Sequence, residues 1–134
     1  MKHLVVNSHM LSSVGGAFYP TGYSMLMFPN GEIARQVGKR LIDSDVSGDD
    51  VYLVPPDEIL SQIAPTVHDG DSPLPSAGTD GATVRAYTKL ARDGHTGLLV
   101  KTPDAKAAER MMEIVRTVPY SMAQRYRTLV IEDL

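Results

Sequence analysis

Residues Gly22–Pro56 read GYSMLMFPNGEIARQVGKRLIDSDVSGDDVYLVPP, and this stretch decides the fold class. Its opening, "GYSMLMFP", is an apolar run closed by a proline, which reads as a buried strand with a stop. Asn30 follows as a helix N-cap, and Glu32 falls in the first turn, where the helix dipole favours an anion. Ile33, Val37 and Leu41 recur at a spacing of four, with Ala34 and Gly38 beside them. That is a single apolar stripe, the mark of a helix packed on a sheet. "VSGDD" is a turn. "VYLVPP" (Val51–Pro56) is a second short strand, again closed by proline. The order is strand, helix, strand.

The second half repeats it. "PDEILSQIA" predicts a short helix from Pro56 to Ala64, with Asp57 and Glu58 in its first turn. From Thr79 the pattern is helical again, with Val84, Tyr87, Leu90 and Ala91 on one face and Gly94 at the end. "HTGLLVKTP" (His95–Pro103) predicts a third strand. In "TPDAKAAERMMEIVRTV", Thr102 is expected to cap a helix, with Pro103 at its first position and Asp104 in its first turn. Ala108, Met111, Val115 and Val118 form its buried stripe. "YSMAQRY" reads as a turn or short helix, and Thr128–Glu132 as the fourth strand. Two strand–helix–strand units with a helical insertion between them predict an α+β fold, a ferredoxin-like βαββαβ sandwich. Residues 1–16 are expected to be a mobile N-terminal arm or an added strand, and residues 17–134 one domain. The runs "LMF" and "LLV" do not alternate, so both faces of the sheet need cover. The insertion supplies part of it, and a second copy of the chain is expected to supply the rest, as a homodimer or higher homo-oligomer.

Composition narrows the function. The 134 residues carry a net charge of −3, which gives no overall basic footprint for nucleic acid. The chain holds 0 cysteines, so disulfides, thiolate metal sites and cysteine nucleophiles are excluded together. No apolar run approaches the roughly 18 residues of a membrane span, and "KHLVV" is too short for a signal-peptide core. The expected address is the cytoplasm.

With those elements placed, the pattern resembles the general stress protein 17M-like domains of bacteria. The residues that carry the resemblance are "SGDDVYLVPP" (Ser47–Pro56) and "AYTKLARDGHTGLLVKT" (Ala86–Thr102), with a variable glycine-rich middle between them and the helix after them. It spans roughly residues 22–118, and "PYSMAQRYRTLVIEDL" has no counterpart in it. The resemblance implies the fold and a link to stress response. It carries no catalytic residues across.

Candidate site residues concentrate in "TVHDGDSPLPSAGTDG" (Thr66–Gly81). His68, Asp69 and Asp71 are metal-ligand types, but their spacing matches no calcium loop, and Asp, Gly, Ser and Pro also build a plain solvated connector. Thr79, Asp80 and Gly81 open a helix, where free N–H groups attract an anion, and Arg85 adds charge. A threonine capping its own helix explains the same residues. A nucleotide-binding glycine motif is absent. His95 reads either as a general base at a cleft rim or as an exposed strand end. Tyr19 and Tyr23 read as pocket-lining phenols or as a core edge. "QRYR" with Lys101 is too small a basic set for nucleic acid. No serine has a nucleophile-elbow context.

These readings converge on a non-enzymatic binding or regulatory module. A small anionic ligand is its candidate partner, held by His68, Asp69, Asp71, Thr79, Asp80, Gly81 and Arg85. No metal, cofactor, catalytic residue, nucleic acid or membrane is assigned. The rivals are a small dimeric α+β-barrel-type enzyme, which needs a buried His, Asp or Glu facing the sheet, and a nucleotide sensor similar in fold to the PII proteins. Residues 65–78 are expected to be a surface connection without regular structure.

Overall fold

The computed structural model describes residues 1–13, 15–67 and 78–134, the side chains of residues 78 and 79 excepted. The fold is α+β. Six strands, β1 (Lys2–His3), β2 (Tyr23–Phe28), β3 (Val51–Val54), β4 (Thr96–Lys101), β5 (Met122–Tyr126) and β6 (Ile131–Asp133), form one sheet in the order β1-β3-β4-β2-β5-β6. β1 runs parallel to β3, and every other neighbouring pair is antiparallel. Four strands were expected; the sheet has six, and its order is not the four-strand order of the expected sandwich. Among the described residues, no helix is long and apolar enough to cross a membrane.

Helices α1 (Gly31–Asp43) and α4 (Ala105–Val115) cover one face. Asn30 caps α1 as its sequence predicts, its side chain accepting the Ile33 N–H at 2.9 Å. Ala34, Val37 and Leu41 of α1, with Met111, Met112 and Val115 of α4, pack on Leu26, Phe28, Leu98 and Val100. Val118 lies beyond the end of α4 and is only partly buried.

The opposite face is covered by α3 (Gly78–Arg92) and a short helical segment. That segment is α2 (Pro56–Glu58), a π turn (Ile59–Ile63) and a 3-10 turn (Ala64–Thr66) in succession. Ile59, Ile63, Val84, Tyr87 and Ala91 meet Met25, Met27 and Leu99 there. Leu4, Ala17 and Phe18 complete the layer, all buried. The Gln62 amide grips the first residues at two points, accepting the Val6 N–H and donating to the Leu4 carbonyl, each at 2.9 Å. Residues before the first predicted strand thus add to the cover of this face.

Three sequence expectations are corrected. "YSMAQRY" is not a turn or helix. Its residues 122–126 are β5, paired along β2, and Thr128–Val130 link it to β6 instead of forming a strand. Ala123 faces the α1–α4 core and Tyr126 the α3 core, so two buried side chains on opposite faces fix the segment as extended. Second, Thr102 does not cap α4. Asp104 does, accepting the Ala107 N–H at 2.8 Å, while the Thr102 hydroxyl turns inward to Ser24 Oγ at 2.8 Å. Replacing Asp104 with Ala is expected to cost about 0.5–2 kcal/mol, read from the urea midpoint. Third, residues 65–78 are not all irregular: Pro65 and Thr66 lie in the 3-10 turn and Gly78 begins α3. The remainder of that expectation, 68–77, lies outside the described residues.

Candidate functional site

A cavity of about 450 Å³ opens where β2 begins and β4 and β5 end. Thr21 and Gly22 precede β2, Thr102 and Pro103 follow β4, and Arg125 to Val130 close the rim. Its size falls in the range of small-molecule sites. Gly22 holds the rim together: its N–H donates to the Tyr126 carbonyl and its own carbonyl accepts the Thr102 N–H, each at 2.9 Å. It does so at φ +87°, a conformation that suits a residue without Cβ.

Among the described residues, two arginines line the cavity and no carboxylate does. The Arg125 side chain is only 12% exposed and meets Glu132, its cross-strand neighbour, at 3.5 Å. Arg127 is exposed. Three threonines, Thr21, Thr102 and Thr128, share the lining. A concave surface lined by arginine suits an anion, because arginine donors match carboxylate and phosphate oxygens.

Behind the cavity stands a cluster of phenols. The Tyr126 and Tyr87 hydroxyls are 2.8 Å apart, both buried. Tyr19 meets the Tyr126 ring edge-on at 4.9 Å and donates its hydroxyl hydrogen to the Arg127 carbonyl. Burial lifts the pKa of both Tyr87 and Tyr126 well above the ordinary tyrosine range. The shared hydrogen bond raises Tyr87 further and partly offsets the shift on Tyr126. The carboxylate of Asp80 adds to the rise at Tyr126 and Tyr19. Asp80 itself is shifted upward by partial burial, opposed by a hydrogen bond from Ser12.

The expected site residues divide accordingly. Asp80 lies at this end of the sheet, since its charge acts on Tyr19 and Tyr126. Arg85 folds back over the first turn of α3, its guanidinium within 3.3 Å of where a Cβ on Gly81 would stand. Gly81 and Arg85, four residues apart on α3, thus lie together, with the Asp80 carboxylate in the same turn. His68, Asp69 and Asp71 lie outside the described residues, as does the Thr79 side chain. Tyr19 belongs to the phenol cluster, whereas Tyr23 packs 6.2 Å from Tyr52, away from it. His95 meets Ser121, Nδ1 to Oγ, at 2.7 Å, exposed at the far end of β4 from the cavity.

Sequence reasoning missed Arg125, Arg127, Thr102 and Thr128 as one group. The signal was "QRYR", two cations flanking one aromatic. It was read only against nucleic acid, where two charges are too few. Comparison with protein-family models, curated proteins and solved structures found no match.

Proposed function

We propose that this chain is a non-enzymatic module that binds a small anion in the cavity at the β2–β4–β5 end of the sheet. The observation that carries this is the cavity's charge, two arginines and, among the described residues, no lining carboxylate. The core belongs to the same proposal. The inner strands run β3-β4-β2-β5 with every contact antiparallel, the pattern that two interleaved βαβ units of a ferredoxin-like sandwich produce. β1 and β6 then count as additions at its edges.

A stress-related role, a cytoplasmic address and self-association are proposed with it. The sheet-face argument for a second copy is weaker than the sequence suggests, because this chain's own elements cover both faces. Light scattering at micromolar concentration separates monomer from oligomer.

The anion reading is tested by thermal shift and calorimetry with inorganic phosphate and sulfate at fixed ionic strength. A ligand at 100 times its Kd should stabilise by about 2.7 kcal/mol. Arg127→Ala should weaken phosphate binding by roughly tenfold, since a charge-assisted contact is worth about 1.5 kcal/mol or more. Its side chain is exposed, so folding should be unaffected. Wild-type affinity in Arg127→Ala together with Arg125→Gln would remove the site.

A further inference from the structure

The β5–β6 link has an unusual make-up for its position. Tyr126 pairs with Ile131, and the Arg127 N–H donates to the Val130 carbonyl at 2.9 Å, so Arg127–Val130 form the whole connection. Such links favour Gly, Asn, Asp or Ser, and a polar pair would serve at the tip without penalty. Instead the tip carries Leu129 and Val130, 91% and 55% exposed, adjacent in the chain. Neither packs into either core. Single exposed apolar residues are ordinary, but these two stand together on the rim of the cavity that both arginines line. Pro103, on the opposite side of the opening, adds a third apolar wall.

We infer that the ligand is a small soluble amphiphile, resting on the anion reading above. Its phosphate or carboxylate head is held by Arg125 and Arg127, and its short aliphatic tail lies against Leu129, Val130 and Pro103. Charge complementarity selects the head. Burial of the exposed tip selects the tail, because apolar surface removed from water on binding is favourable and needs no special geometry. The concavity favours a small molecule over a membrane surface, since a depression of about 450 Å³ receives a small ligand and a bilayer is flat on that scale.

The test is a series of n-alkyl phosphates, ethyl to octyl, below their aggregation concentrations, titrated beside inorganic phosphate. Affinity should rise by about threefold to fourfold per methylene until the tip is covered. In the double variant Leu129→Ser, Val130→Ser the series should flatten while inorganic phosphate binds as before. Both residues are exposed, so this variant folds. Alkyltrimethylammonium ions of the same lengths carry the tail on a cation and should not bind. If phosphate binds but added methylenes change nothing, the tail assignment is overturned and the anion reading stands. If no anion binds at all, both fall together. Equal binding of the cationic series overturns the inference, as does sedimentation with anionic phosphatidylglycerol vesicles without binding of soluble alkyl phosphates.

Discussion

Phe18→Ala should destabilise the protein by about 3–5 kcal/mol, a large share of a small domain's stability. Phe18 has no exposed surface and lies before the first long strand, in a segment that sequence patterning does not mark as core. The structure gives it three fixed relations. Its ring meets Tyr126 edge-on at 6.2 Å, its N–H donates to Thr66 Oγ1 at 3.0 Å, and it forms a bridge with Leu11. Removing the ring leaves a cavity between the sheet and the short helical segment, and backbone held on two sides collapses into it poorly. Urea titration reads the cost as a lower midpoint with little change in slope. Leu129→Ala, at a 91% exposed position, is the control and should shift stability by no more than about 0.5 kcal/mol. A cost below about 1 kcal/mol for Phe18→Ala would show that residues before Gly22 lie loosely on the sheet.

Alkaline pH should unfold the protein steeply, through Tyr87 and Tyr126. Burial raises both phenols above the ordinary value of 10.0. In the unfolded chain they ionise near that pH, while in the folded chain they keep their protons. Below pH 10 neither state is charged and the stability is fully present. Above it the unfolded state alone loses protons, so stability falls as pH rises, by up to about 1.4 kcal/mol per pH unit for each tyrosine. Tyr87→Phe should remove the Tyr87 contribution and lower the slope, while Tyr126, Tyr19 and Tyr23, also raised, keep theirs. At neutral pH it should cost about 1–2 kcal/mol, because the Tyr126 hydroxyl loses its buried partner. Urea midpoints measured across the alkaline range give both slopes. A Tyr87→Phe slope equal to that of the wild type would mean that Tyr87 ionises alike in both states.

The two results bear on the same end of the molecule. Phe18, Tyr19 and Tyr126 form one aromatic wall behind the cavity, and Tyr19 fixes the Arg127 backbone through its hydroxyl. The wall keeps β5 and its hairpin in place, so the arginines are presented by a rigid support, as a binding site requires.

The elements that local chemistry specifies were legible without a structure. α1 is the clearest. A capping asparagine, an acid in the first turn and apolar residues at a spacing of four each act within a few residues of one another, so no distant partner is needed to read them. β2, β3 and β4 were legible for a similar reason, being apolar runs bounded by proline and glycine. Tertiary structure decided the rest. Residues 122–126 have no strong period, and they become a strand because β2 offers an open edge and two cores accept Ala123 and Tyr126. Thr102 and Asp104 are both capping residues by type. The choice between them follows from Ser24, 78 residues away, which takes the Thr102 hydroxyl. The cavity is the furthest from the sequence. Thr21, Thr102 and Arg125 meet only because strands distant in the chain have their termini at the same end of the sheet. Pairing between distant strands is a property of the whole chain, and no local window contains it.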